Sequence, residues 1–318
     1  MLFRTAAMHV PDGFLSTIVS IVFWLISVVA VAYALRRTGK ELSERQVPLM
    51  GVLAAAIFAG QMLNFSVTGG TSGHLLGAAI ATILLGPWPA VIVLTTVVSI
   101  QALVFQDGGL LALGANLFNM AIVGVSVSYF VYTSLRRLGR QRPWSMFVGG
   151  FAAAWSSIFL ASLACALELA LSGTSPANIA IPAMGGIHAL IGIGEGLITL
   201  GALSFLYASR RDLVTDQRAD LRRGGAGVWV FGLGIALLLA VISPLASAHP
   251  DGLEWVAEQN GFLQAARGPL FNLIPDYVLP GISNQALATI LAGIVGTLLV
   301  FVVALGAACL RRVHKTLA

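Results

Sequence analysis

The chain has 318 residues, of which 58% are hydrophobic and only 10% charged, and its mean hydropathy is +0.90. Soluble proteins carry roughly 25% charged residues, so a soluble enzyme or multidomain binding protein is excluded and the composition is that of a chain built for the lipid bilayer. The net charge of +5 does not point to nucleic acid, because the basic residues stand in short clusters between apolar runs rather than in one patch.

Met1 to Ala7 lack the apolar core of a signal peptide. Either translation starts at Met8 or Thr5-Ala6-Ala7 is a cleavage remnant; both readings make Met8 the mature first residue and leave residues 1–7 out of the mature chain. In Met8-His9-Val10-Pro11-Asp12-Gly13-Phe14-Leu15, a free amine on Met8, the amide nitrogen of His9 and the His9 imidazole can reach one cation through fused chelate rings. All three nitrogens must lose a proton to bind, and tetragonal nitrogen ligation suits Ni(II), Cu(II) or a similar late first-row ion. The plainer reading is an incidental surface histidine. Pro11-Asp12-Gly13 then predicts a turn into the first span.

A membrane helix needs about 20 mainly apolar residues. Such runs occupy roughly 15–35, 47–64, 109–135, 145–171, 184–207, 226–243 and 285–309. The stretch 74–106, broken by Gly86-Pro87-Trp88-Pro89, reads as two short crossings, with a re-entrant pair as the alternative. The expected fold is therefore an all-α polytopic membrane protein of about nine transmembrane helices. It divides into a seven-helix module over 8–209, a polar cytoplasmic linker over 210–225 and a two-helix hairpin over 226–318 around an outer loop, 244–284. On this plan only Arg4 and Arg267, of the 18 Lys and Arg residues, fall on the side opposite the rest. The positive-inside rule then puts the amino terminus outside and the carboxyl terminus in the cytoplasm of a bacterial inner (plasma) membrane protein.

His74 closes the small-residue loop Val67-Thr68-Gly69-Gly70-Thr71-Ser72-Gly73-His74 at the outer end of the second span, on the same side as His9. It could complete a four-nitrogen square, or be an interfacial histidine with a hydrogen-bonded role only. Asn116 and Asn119, three apart, share a helix face; they could support the ligands from behind or bridge helices. Glu168 and Glu195 are ionisable groups in or near spans, with packing or coupling roles as plausible as ligation. His188 is a weak alternative ligand, and His249 and His314 are expected to be bland. Cys165 and Cys309 are too few and too far apart for a cysteine metal site. No phosphate loop ending in Lys-Ser/Thr occurs and no His-Glu-x-x-His helix, so neither ATP hydrolysis nor the commonest metalloprotease chemistry is read in this chain.

Four motifs carry a family resemblance: Met8 to Leu15; Gly69-Gly70-Thr71-Ser72-Gly73-His74; the run from Gln101-Ala102-Leu103 through Gly108-Gly109-Leu110 and Gly114-Ala115-Asn116 to Met120-Ala121-Ile122-Val123-Gly124; and Glu195-Gly196-Leu197-Ile198-Thr199. By these the chain resembles the CbiM or NikM substrate-binding membrane subunits of energy-coupling-factor transporters. Pro250-Asp251-Gly252-Leu253-Glu254 with Pro275-Asp276-Tyr277 resembles the partner module called CbiN, NikN or PDGLE, here fused behind it.

The resemblance implies uptake of Co(II) or Ni(II) as transported substrate, with no cofactor. It implies a metal held by the Met8 amine, the amide and imidazole of His9 and the imidazole of His74. Partners implied are a membrane coupling subunit and cytoplasmic ATPase subunits, with no nucleic acid. The 244–284 loop is expected to act on transport more than on binding. A different divalent metal on the same scaffold is the alternative within transport. An intramembrane metal-dependent enzyme is the alternative from another class, although a closed nitrogen square leaves no position for activated water.

Overall fold

The structure is a computed structural model that describes residues 9–41, 46–214 and 225–316. Met8, the 1–7 segment and most of the 210–225 linker lie outside the described residues.

In lipid a backbone must satisfy its own hydrogen bonds, so apolar runs of this length become helices. The first is α1 (Thr17–Glu41), followed by α2 (Gln46–Gln61). A small antiparallel hairpin follows, β1 (Phe65–Val67) and β2 (Thr71–Gly73), with Ser66 opposite Ser72. Next come α3 (Ala78–Leu85) and α4 (Pro87–Ile100), the latter continued by a π turn over Gln101–Phe105. The fifth apolar run is one path in three parts: α5 (Leu113–Leu117), a π turn over Phe118–Val123 and α6 (Gly124–Leu138). Then come α7 (Pro143–Leu171), α8 (Ala177–Ser209), α9 (Gly225–Ile242), the short α10 (Gly252–Gln259) and α11 (Gln285–Thr316).

Among the described residues, six helical paths are long and apolar enough to cross a membrane, and two further apolar helices, Gln46–Gln61 and Trp229–Leu245, are shorter. The side chains that face outward agree with lipid contact: Ile18, Leu25 and Val29 on α1 are more than half exposed. A row of that kind is costly in water and neutral against acyl chains.

The 74–106 stretch takes an asymmetric form. Gly86 breaks it, and Pro87 opens α4 at the helical position where a missing N–H costs nothing. At 1.5 Å per residue α3 is only about 12 Å long, well short of a hydrocarbon core. Its surroundings lengthen the path. Gln46 Nε2, at the first residue of α2, donates to Leu85 O (3.0 Å), and Gln61 Nε2, at the last, donates to Leu76 O (3.1 Å). The 76–85 segment thus returns along α2, with two side-chain amides, that of Gln61 fully buried, tying its ends to the two ends of that helix.

These ties sort the molecule into two ends. Arg37 lies over the Trp88 ring at 5.8 Å, so the last turns of α1 meet the α3–α4 turn beside the start of α2. His9, His74, Asp107 and Asp251 gather at the opposite end. The carboxyl-terminal hairpin, α9 and α11, packs against α2. A Cβ on Gly296 would come within 2.2 Å of the Phe58 ring, a close approach of the sort that small residues permit between membrane helices.

Candidate metal centre

The site is built from two short extended segments, each pinned by a carboxylate. After His9 the chain turns through Pro11 to Phe14 (Phe14 N to Pro11 O, 3.4 Å), as the Pro-Asp-Gly sequence predicts, and enters α1 at Thr17. Asp12 is buried and its carboxylate accepts from the backbone N–H groups of Leu110 (3.1 Å), Leu111 (2.8 Å) and Ala112 (3.1 Å). Those donors precede α5 and would otherwise have no partner. Asn116 completes the lacing: its Oδ1 accepts from Val10 N (3.0 Å) and its Nδ2 donates to Val10 O (3.1 Å). Gly108, at φ +94°, passes so close that a Cβ would sit 2.9 Å from His9 Cβ and from Asn116 Nδ2.

Gln106 adopts a left-handed φ of 57°, which turns the chain out of the π segment and aims Asp107 at the His9 ring. His9 Nδ1 lies 3.0 Å from Asp107 Oδ1, at ion-pair distance although not aligned as a hydrogen bond. Among the described residues nothing hydrogen-bonds to the buried His9 Nε2, and the residue is only 4% exposed. A buried imidazole nitrogen without a partner is uncommon and calls for an explanation.

His74 follows β2 directly. Its position is fixed from the membrane side by Glu195 on α8, whose two oxygens accept from Leu76 N (2.8 Å) and Gly77 N (3.0 Å). His74 Nδ1 lies 2.9 Å from Asp251 Oδ1. An ionised carboxylate only accepts, so Nδ1 carries the proton and, in the neutral ring, Nε2 holds the open lone pair. Burial works against charge on Asp251, but bonded His74 and then His188 outweigh it and hold the carboxyl below its ordinary range. The same balance, burial against Asp251 and more distantly Asp107 and Glu195, leaves His74 above the usual imidazole value. Asp107 is likewise lowered: His9 and a hydrogen bond from Tyr277 Oη (2.6 Å) more than offset its burial.

The His9 and His74 rings are 5.6 Å apart between centroids and meet edge to face at 67°. With metal–nitrogen bonds of about 2 Å, two imidazoles on one ion have centroids about 4.5 to 6.5 Å apart, as the angle at the metal opens from square to straight. The observed separation falls inside that range. Both rings line a cavity of about 70 Å³ with Asn116, Asn119, His188 and Asp251.

The residues singled out in the sequence distribute as follows. His9 and His74 are brought together, and Met8 lies outside the described residues. Asn116 and Asn119 do share a face and both reach the cavity: Asn116 holds the terminal segment, and Asn119 Nδ2 donates to Glu168 Oε2 on α7 (2.8 Å). His188 lines the cavity while its Nδ1 faces Met184 O (2.8 Å). His249 is exposed, as its bland reading expects, and only its carbonyl takes part, accepting from Ser72 Oγ (2.8 Å) beside the site. Sequence reading passed over Asp107, Asp251 and Tyr277. One signal was available. Every Asp-Gly pair in the chain, Asp12-Gly13, Asp107-Gly108 and Asp251-Gly252, belongs to this end. All three aspartates are buried, where such pairs ordinarily mark exposed turns.

Replacing Asn116 by leucine is expected to leave the buried N–H of Val10 unpaired, costing about 1–3 kcal/mol, while the Val10 C=O keeps its second donor, Gly109 N (2.9 Å). Thermal unfolding in detergent should fall measurably, and less for Asn116→Asp, which keeps the acceptor for Val10 N; an unchanged transition for both would remove Asn116 from this role.

Comparison with known proteins agrees with this architecture. A family described as the cobalt uptake substrate-specific transmembrane region matches residues 9–213, and the PDGLE domain matches residues 226–313. A protein of Archaeoglobus fulgidus named as a fused NikMN is 39% identical over 308 residues, covering 96% of this chain and 98% of its own. The fused nickel transport protein NikMN of Rhodobacter capsulatus is 32% identical, covering 86% of this chain and 84% of its own. A crystal structure of a truncated transition metal transporter superimposes with a TM-score of 0.57 at 35% identity, covering 63% of this chain and 99% of that one. From residue 9 to residue 213 this chain belongs to the cobalt uptake substrate-specific transmembrane family, and it continues into a PDGLE domain.

Proposed function

We propose that this chain is the substrate-binding membrane subunit of a cobalt or nickel importer of the energy-coupling-factor type. The ion is held as cargo by the amine of Met8, the amide nitrogen and Nδ1 of His9 and Nε2 of His74. The observation that carries this reading is the buried His9–His74 pair at metal-sharing distance, with neither ring nitrogen of His9 hydrogen-bonded among the described residues. Family membership and relatives named for nickel transport support the choice of ion. Among the described residues no group of three His, Cys, Asp or Glu side chains is placed to hold a metal. On this reading backbone nitrogen and a terminal amine complete the donor set that the two imidazoles begin.

Chelate geometry asks for a movement. The ring closed from the His9 amide nitrogen through Cα, Cβ and Cγ ends at Nδ1, and that atom now faces Asp107. A half-turn about Cβ–Cγ brings Nδ1 to the ion and swings Nε2–H toward Asp107. That carboxylate then serves His9 as Asp251 serves His74. The histidine end faces outward, and the arginine clusters face the cytoplasm. ATP is hydrolysed in separate subunits that act through a membrane coupling protein.

The test is the free amine. A purified chain beginning at Met8 is expected to take up one equivalent of Ni(II) or Co(II), measured by elemental analysis after gel filtration. The same chain retaining residues 1–7, or acylated at Met8, is expected to lose tight binding. Equal affinity in the extended chain would sink the chelate.

A further inference from the structure

We infer that the PDGLE module completes the metal site, with Asp251 acting as the positioning residue that holds His74 in its ligating tautomer. The inference rests on the four-nitrogen chelate proposed above and adds a part of the site drawn from the other module.

The 244–284 loop does not stand clear of the seven-helix module. Pro250 O accepts from Ser72 N (2.8 Å) and from Thr71 Oγ1 (3.0 Å), so the loop lies alongside β2 immediately before His74. Ser72 and Asp251 form a parallel bridge there. Asp251, 2% exposed, divides its oxygens: Oδ1 takes His74 Nδ1 at 2.9 Å, and Oδ2 accepts from Leu253 N (3.3 Å) to cap α10. Gly252 lets this turn approach the bundle, because a Cβ there would sit 3.0 Å from His188 Cε1 and 2.8 Å from Ile191 Cδ1. Farther along the loop, Tyr277 Oη donates to Asp107 Oδ2 (2.6 Å), the carboxylate beside His9. One loop of the second module thus reaches the acidic partners of both histidines. The Pro-Asp-Gly-Leu run has a role residue by residue. Pro250 docks on β2, Asp251 orients His74, Gly252 admits the approach and Leu253 lines the cavity.

Metal-ligating histidines characteristically give their second N–H to a carboxylate or carbonyl, which fixes the ring and raises its basicity, and loss of that partner lowers metal affinity about 10–100-fold. On this inference the loop acts on binding as well, where the sequence alone leads one to expect an effect on transport more than on binding.

The experiment uses the full chain beginning at Met8, with Ni(II) as probe and a competing chromogenic chelator to read affinity. Asp251→Ser keeps a cap for α10, since serine is a good N-cap, but is too short to reach His74. Asp251→Asn keeps both the cap and an oxygen facing Nδ1. The serine variant is expected to bind one equivalent about 10–100-fold more weakly, with a shifted Ni(II) absorption band, and the asparagine variant to recover part of that loss with the parent band. Equal affinity of parent and serine variant, or equal weakness of the two variants, overturns the inference alone. A parent chain that takes up no nickel overturns the chelate, and this inference with it.

Discussion

A chain that begins at Met8 and carries His74→Ala is expected to lose tight nickel and cobalt binding while its helices remain folded. His74 would supply one of only four nitrogens, and it is the one donor that comes from a different segment. Without it, three donors from two successive residues remain on a segment that Asn116 and Asp12 hold in place. The loss should exceed the roughly 10–100-fold that follows removal of an outer carboxylate. His9→Ala should be as severe, since it removes the imidazole that closes the second chelate ring. Both are read by metal content after desalting and by competition with a chelator of known affinity. Undiminished stoichiometry and affinity in both variants would remove these histidines from the site.

The second large effect is on stability. Glu195 is fully buried on α8, and its two oxygens are the acceptors for Leu76 N and Gly77 N. Glu195→Leu leaves both N–H groups buried and unpaired, at about 1–3 kcal/mol each. The sum is a large share of the 5–15 kcal/mol that typically holds a domain together. Glu195→Gln keeps one carbonyl oxygen and should lose about half as much. The leucine variant is expected to unfold at clearly lower temperature in detergent and to bind metal weakly, because the 74–77 segment loses its anchor. A leucine variant as stable as its parent would mean that those amides find other acceptors.

Much of this fold was legible in the sequence because lipid imposes a simple rule: runs of about 20 apolar residues become helices. The seven clear runs all did so, and the Gly86-Pro87 break fell where the composition predicted. The length of α3 was not legible. An eight-residue helix can serve there because Gln46 and Gln61 reach across from α2, and a pairing of that kind leaves no periodic trace.

The site was half legible for a related reason. His9, His74, Asn116 and Asn119 stood out as polar residues in apolar surroundings or at a chain start. Asp107 and Asp251 lie in loops, where an aspartate is ordinary, and only folding shows that each is buried against a histidine. Tyr277 was hidden more deeply, since its φ of 57° and its bond to Asp107 depend on a docked loop. The π turns at Gln101–Phe105 and Phe118–Val123 flank the segment that carries Asp107 and Asn116. Such single-turn departures recur at functional sites, and hydropathy does not reveal them.

The docking of the Pro250–Gly252 turn on β2 bears on why the two modules share one chain. Two separate proteins that met only through this turn and its neighbours would have to overcome an association cost of several kcal/mol or more. A covalent tether replaces that encounter with an effective concentration on the order of millimolar. A handful of hydrogen bonds then suffices to keep the turn seated. Fusion also fixes the ratio of the modules at one to one, whatever the rate of synthesis. The turn need not hold the module by itself, because α9 and α11 of the same module also pack against α2.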